Sequence, residues 1–270
     1  KHPPDRQNNI SCFMMVYSTL FPEGKPSKKG FAVLIDPDKC PENRLARILE
    51  LSVSSCVDLF LVGGSLLMHD QLTTVLQTIR SSCEIPIVLF PGNNLQINRK
   101  ADAILLLSLI SGRNPELLIG RHVISAPILK NSGLEVISTG YLLIDSGKIT
   151  TVNYMSQTMP IPRDKSDIAV CTAMAGEMLG MKLIYLDAGS GAAQPVPADM
   201  IRAVRQSVNI PLIIGGGITS TAKAADAFQA GADVVVVGNA IEKDPELIPA
   251  IAQIRTLSSS LSKFFSKSIR

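Results

Sequence analysis

Eight short apolar runs, each stopping on a polar or glycine-rich end, constrain this chain more than any other feature. They are Phe31–Asp36, Val57–Val62, Pro86–Phe90, Ala103–Leu109, Leu134–Ile144, Leu183–Asp187, Pro211–Ile214 and Asp233–Val237. Each is too short and too continuously apolar for an amphipathic helix. Continuous apolarity means burial on both faces, as in a parallel sheet covered by helices. Helical patterns separate most of the runs, so the chain predicts an α/β fold, a (β/α)8 barrel of TIM type. A doubly wound open sheet more usually opens with Gly-x-Gly-x-x-Gly after its first strand. Here that strand runs into Asp36-Pro37-Asp38-Lys39.

The expected organisation is an N-terminal segment (1–29) with an apolar, helix-like stretch from Ile10 to Phe21, a single barrel domain (30–255), and a C-terminal tail (256–270). The tail reads as a frayed helix, with a membrane-surface role as the alternative. Between Gly92 and Ala103 there is room for a turn or two of helix, not for a crossover helix. Leu134–Ile144 reads as a long strand with Lys148–Tyr154 returning beside it as a hairpin. Thr219 is the expected N-cap of the helix that ends at Ala230, and Pro245 the opening of the last one.

With 46% hydrophobic and 18% charged residues, the 270-residue chain has ample core for one barrel. A net charge of +3 without a basic cluster argues against nucleic acid. No apolar run approaches the roughly 18 residues of a membrane span, and no signal peptide is visible. The five scattered cysteines suggest reduced, mostly buried thiols of a cytoplasmic protein, with Cys171 in the core. Met174, Met178 and Met181 read as packing residues, and His69 and His122 as structural or solvated histidines.

Barrel chemistry sits at the C-terminal ends of the strands. The sixth run ends in Asp187-Ala-Gly189-Ser190-Gly191, a carboxylate beside glycines whose N–H groups can cradle an anion. Gly216-Gly217 and Gly238-Asn239 end runs seven and eight, where barrels commonly grip phosphate. Asp36 and Ser65 end runs one and two. They suit Mg2+, which takes one or two protein oxygens and keeps waters and phosphates, or Asp36 simply caps the following helix. Asp38 and Lys39 read as surface turn residues.

Taken together, Phe31-Ala-Val-Leu-Ile-Asp-Pro-Asp-Lys39, Leu61-Val-Gly-Gly-Ser65, Phe90-Pro-Gly92, Ser156-Gln-Thr-Met-Pro-Ile-Pro162, Ala175-Gly-Glu-Met-Leu-Gly180, Tyr185-Leu-Asp-Ala-Gly-Ser-Gly191, Gly215-Gly-Gly-Ile218 and Val237-Gly-Asn-Ala240 carry a family likeness. From about Lys29 to Ile248 the chain resembles the geranylgeranylglyceryl phosphate synthase family, PcrB-like prenyltransferases included. Leu34 stands where the shorter PcrB branch carries Lys, so the larger archaeal and Bacteroidetes group is the better match. The resemblance implies a modified TIM barrel in which the helix after strand three is replaced by an irregular segment.

It also implies a transfer of the prenyl group of geranylgeranyl diphosphate to the 3-hydroxyl of sn-glycerol 1-phosphate, with Mg2+ as cofactor. Position by position, Asp36 and Ser65 match the family's metal site. Tyr185, Leu186, Asp187, Ala188, Gly189, Ser190, Gly191, Gly216, Gly217, Gly238 and Asn239 match its glycerol-phosphate site. Asp187, as base or orienting group, and Tyr185 are the expected catalytic pair; many archaeal members have Glu in place of Asp187. A homo-oligomer, dimer or hexamer, and a transient membrane-surface contact for product release are the expected partners, with no nucleic acid. Open alternatives are another prenyl length, a different phosphate-gripping barrel enzyme such as an isomerase or aldolase, and a non-catalytic phosphate- or lipid-binding protein. An aldolase would need a Schiff-base Lys at a strand end, and none is read there.

Overall fold

In the computed structural model, which describes residues 15–24, 28–69 and 71–267, eight parallel strands close in chain order. They are β1 (Gly30–Ile35), β2 (Leu59–Val62), β3 (Ile87–Leu89), β4 (Ala103–Leu109), β5 (Glu135–Leu143), β6 (Leu183–Asp187), β7 (Leu212–Gly215) and β8 (Val234–Val237). The ladder from Gly30↔Val234 to Val33↔Val237 joins first strand to last. Alternate residues serve two cores. Ala32, Leu61, Val88, Leu105 and Val236 fill the barrel. Phe31, Val33, Phe60 and Val62 face outward onto Ile48, Leu76 and Ile79 of the surrounding helices. That double burial is why the runs show no polar alternation.

The shell comprises α2 (Glu42–Ser54), α3 (Leu72–Ser82), α4 (Arg121–Lys130), α6 (Ser166–Met178), α7 (Ala198–Ser207), α8 (Thr221–Ala230), the short α9 (Asn239–Lys243) and α10 (Leu247–Lys267). Short α1 (Val16–Leu20) precedes the barrel, and its Val16 with Phe21 joins the interior core, closing the N-terminal mouth. Residues 10–14 of the expected apolar stretch lie outside the described residues, as does Cys12. The last helix runs through residue 256 without a break. Between β3 and β4 stands only a 3-10 turn, Asn94–Gln96, and a π-type turn, Glu116–Gly120, leads into α4.

Several local expectations are corrected. The hairpin after β5 is absent: residues 151–156 form helix α5 (Thr151–Ser156), and Ile144 instead makes an isolated parallel bridge to Ile161. Thr150 and Asn153 form a reciprocal capping box there, which the β-branched residues had masked. Ser220, not Thr219, caps α8 by accepting the Lys223 N–H at 3.3 Å. Asn239 opens a separate turn before the final helix, which begins at Leu247. Cys56 and Cys171 are exposed; Cys171 lies on the outer side of α6, whose Ala169, Ala173 and Gly176 are buried. Met178 is likewise exposed, whereas Met174 packs against the core.

A recurrent device fastens the N-terminal mouth. Asp58, Asp102 and Asp233 precede β2, β4 and β8, and each accepts a backbone N–H of the preceding strand: Phe31 at 2.9 Å, Ile87 at 2.8 Å and Leu212 at 2.9 Å. Each also takes an arginine: Arg255, Arg80 and Arg205, all at 2.7 Å. Breaking a buried pair strands the partner charge. Asp58→Ala is therefore expected to lower unfolding free energy by about 3–5 kcal/mol, measured by denaturant titration. The folded fraction should keep the parent's ligand affinity, since this mouth is opposite the strand ends that carry the site.

Candidate active site

The C-terminal strand ends surround a cavity of about 900 Å3 lined by Leu34, Asp36, Ser65, Tyr185, Asp187, the Gly189–Gly191 turn, Gly216, Gly217, Gly238 and Asn239. Leu186 and Ala188 of the expected set are buried behind it, supplying backbone. The structure thus brings the predicted residues of strands one, two, six, seven and eight to one mouth.

The glycines there are needed for close approach. Gly216 has φ +76°, and a Cβ on it would stand 2.5 Å from Asp187 Oδ1 and 2.6 Å from the Gly189 nitrogen. Gly189 and Gly191 also have positive φ. Ser190 Oγ bonds Asn239 Oδ1 at 2.9 Å, tying the β6 turn to the end of β8. The result is a concave backbone surface at the mouth suited to a phosphate.

Asp187 is buried. Its Oδ2 accepts the Tyr141 hydroxyl at 2.6 Å and its Oδ1 the Gly189 N–H at 2.8 Å. Burial raises its pKa above the usual carboxylate value, and the two hydrogen bonds pull it partly back. Tyr141 and Tyr185 are pushed well up, first by burial and then by the Asp187 charge. Tyr141, unforeseen in the sequence, is thus the tyrosine bonded to Asp187. Parallel pairing places it beside Tyr185, but in sequence it reads as one more apolar strand residue. Phe90 stacks on Tyr185 with centroids 5.3 Å apart, and Tyr141 meets Tyr185 edge-on at 5.6 Å.

Asp36 does not cap α2, whose N-cap is Pro41. Its Oδ1 accepts the Asp38 N–H at 3.1 Å, and its Oδ2 accepts the Lys39 ammonium. Lys39 and Asp38 are therefore more than surface turn residues: Asp38 accepts the N–H groups of Met68 and His69. Glu242, a second residue missed in the sequence, is buried and accepts the Asp36 N–H at 3.1 Å. Burial raises its pKa, the bond from the Asp36 N–H opposes this, and the Asp36 charge adds to it. Lys39 and Lys148 reach the cavity from loops and Lys243 from the end of α9.

Asp36 and Ser65 both face this space, and Gly64 between them lacks the side chain that would stand 3.1 Å from Asp36 Oδ2. One carboxylate and one hydroxyl beside open space fit Mg2+, a hard ion that retains waters and binds substrate phosphates. Among the described residues no group of three or more His, Cys, Asp or Glu gathers around a point.

A second, apolar groove of about 200 Å3 runs beside β4 and the irregular link. Ile97, Leu106, Leu117 and Leu129 line it, and His122 Nε2 anchors to the Leu107 carbonyl at 2.8 Å. The two cavities share Gly64, Ser65, Phe90 and Tyr141. A polar, anion-gripping chamber and an apolar slot therefore meet at one point.

Comparison with known proteins gives the same picture. The model of the PcrB family matches residues 25–255. A geranylgeranylglyceryl phosphate synthase of Spirosoma linguale is 58% identical over 227 residues, 84% of this chain and 91% of that protein. The enzyme of that name from Chitinophaga pinensis is 54% identical over 237 residues, 88% of this chain and 94% of its own. Among solved structures, (S)-3-O-geranylgeranylglyceryl phosphate synthase from Thermoplasma acidophilum, in complex with substrate sn-glycerol-1-phosphate, aligns with a TM-score of 0.80. It is 33% identical, with 84% of this chain and 93% of that one covered.

The buried carboxylate has a thermodynamic signature. With its folded pKa raised, Asp187 binds its proton more tightly in the native state than in the unfolded chain. Its penalty is absent below the ordinary carboxylate pKa and grows as pH rises through the raised value. Asp187→Asn should remove it, and Asn can still accept from Gly189 and pair with Tyr141. We expect the variant's melting temperature to exceed the parent's at pH 7, the two converging as the pH falls to the ordinary carboxylate range. Scanning calorimetry across that range checks this; a variant destabilised most at neutral pH would contradict it.

Proposed function

The chain belongs to the PcrB family, and from that premise we propose that it joins geranylgeranyl diphosphate to the 3-hydroxyl of sn-glycerol 1-phosphate, releasing diphosphate and forming an ether bond. The observation that carries this reading is the meeting of a phosphate-holding chamber with an apolar slot at Gly64, Ser65, Phe90 and Tyr141. A reaction between a small phosphorylated alcohol and a long hydrocarbon diphosphate needs those two environments in contact.

The backbone amides of Ser190 and Gly191, of Gly216 and Gly217, and of the Gly238–Asn239 end receive the phosphate of the glycerol. This clamps the free hydroxyl toward Asp187 and converts much of the reaction's entropy cost into binding. The prenyl chain lies along β4 with its first carbon at the shared junction. There the C1–O bond breaks, diphosphate leaves with the bonding electrons, and the glycerol oxygen bonds to C1. The rings of Phe90, Tyr141 and Tyr185 lie close enough together to face an allylic cation, which aromatic faces stabilise.

Asp187 takes the hydroxyl proton or orients that hydroxyl, with Tyr141 fixing the carboxylate and Tyr185 beside it. Its raised pKa brings it nearer the operating pH, as proton transfer favours. Mg2+ belongs to this proposal: Asp36 and Ser65 would hold it, and when bound it supplies charge neutralisation for the departing diphosphate. Lys39 adds a positive charge at the same end. A cytoplasmic homo-oligomer covering the exposed Ile119, Val123, Ile124 and Ile128 belongs to the same reading, as does brief contact with membrane lipid on product release.

Incubation with labelled sn-glycerol 1-phosphate and a ladder of prenyl diphosphates tests it. We expect geranylgeranylglyceryl phosphate as the main product, its formation abolished by EDTA and restored by Mg2+. No prenylated product from any diphosphate would overturn the assignment. Asp187→Asn should reduce kcat by roughly 100-fold or more; turnover within a few-fold of the parent would remove Asp187 from the proton step.

A further inference from the structure

The turn after β2 is unusually confined. Gly63 has φ +148°, and a Cβ there would stand 2.2 Å from the Phe90 carbonyl oxygen. A Cβ on Gly64 would meet the Asp36 carboxylate at 3.1 Å, and one on Gly92 would fall 2.3 Å from the Gly64 oxygen and 2.8 Å from Ser65 Cα. The backbone of Gly63, Gly64 and Ser65 is thus wedged between the ends of β1 and β3 at the point where the two cavities meet. A peptide group buried in this way must still find both hydrogen-bond partners.

Gln96, from the irregular link after β3, meets this turn. The side chain is almost fully buried, at 3% exposure, in a link whose neighbouring Leu95 is 87% exposed. Its Nε2 donates to the Gly64 carbonyl at 2.8 Å, and its Oε1 accepts the Gly64 N–H at 3.3 Å. A primary amide carries donor and acceptor at one end, so a single side chain can pair with both groups of one residue as a neighbouring strand would. The link is itself held: Asn93 Oδ1 accepts the Leu95 N–H at 2.9 Å, and Asn98 bonds Thr73 Oγ1 of α3 at 2.8 Å. The next residue, Ile97, lines the apolar groove.

We infer that Gln96 is a positioning residue: by pairing with both backbone groups of Gly64 it fixes Ser65 at the junction and sets where the diphosphate end of the prenyl substrate comes to rest. It touches no reacting atom and acts through Gly64. The inference rests on the reaction proposed above and assigns to that site a specificity element in the link that replaces the helix. Displacing this edge moves the prenyl head relative to Asp36 and leaves the glycine cradle on β6, β7 and β8 untouched.

Two variants of the full chain test it. Gln96→Met keeps the length and loses both hydrogen bonds; Gln96→Glu keeps the acceptor and loses the donor to the Gly64 carbonyl. We expect KM for geranylgeranyl diphosphate to rise about ten-fold in Gln96→Met, the value of one or two hydrogen bonds, and at least as much in Gln96→Glu, whose carboxylate oxygen would face the Gly64 carbonyl oxygen, acceptor against acceptor. KM for sn-glycerol 1-phosphate should stay within about two-fold in both, since hydrogen bonds at the distant cradle are unchanged. Hydrogen exchange read by NMR gives an arm independent of activity: the Gly64 amide should exchange at least ten-fold faster in Gln96→Met, with the β2 amides unchanged. If both KM values move together, or the Gly64 amide keeps its protection, the positioning role is overturned. If the parent transfers no prenyl group while the exchange result holds, the reaction assignment fails and the pin on Gly64 stands.

Discussion

Closure of β1 against β8 is the constraint on which the remaining structure depends. The four-residue register from Gly30 to Val33 turns a row of parallel strands into a ring, and only in a ring do all strand ends share one mouth. Asp36 and Asn239, 203 residues apart in the chain, line the same cavity for that reason. Gly30 permits the seam: a side chain on it would stand 3.0 Å from Val234. The closed ladder leaves no edge strand exposed among the described residues.

The molecule divides its work between its two mouths. At the N-terminal mouth Asp58, Asp102 and Asp233 bond the strand before them and an arginine from the shell, so the same residue type recurs for a structural purpose. At the C-terminal mouth Asp36, Asp187 and Glu242 sit among glycines, and burial raises the pKa of Asp187 and Glu242. The two groups of acids differ in what surrounds them. Those at the N-terminal mouth have arginine partners, while Asp187 has only a tyrosine hydroxyl and an amide. A carboxylate left with so little compensation costs stability, which is common where a site is organised for proton transfer.

The strands were legible because their signal is local. Burial on both faces forces an apolar run, and β4 and β6 were delimited to the residue. The short link after β3 was legible from length alone. The stretch after β5 was misread because Ile149, Thr150, Thr151 and Val152 favour strand locally, while the capping box that makes α5 depends on a pairing of Thr150 with Asn153. Asp36, Asp187 and the glycine turns could be found because they sit at predictable strand ends. Tyr141 and Glu242 could not. Each earns its place through one contact, 46 and 206 residues away respectively, and nothing in a local window distinguishes such a tyrosine or glutamate from its neighbours.

The absent helix after β3 leaves only the irregular link and the start of α4 to cover the groove beside β4. Leu106, which faces the outer core and which a complete shell would seal, is only half-buried. Everywhere else around the ring a change in side-chain volume must be absorbed by two packed layers, but here it alters the dimensions of the slot. On the proposed reaction, exchanges at Ile97, Leu106 or Leu129 change the hydrocarbon length that fits, while the anion-gripping end stays fixed. A lipid's tail and its head group become separately adjustable traits of one polypeptide.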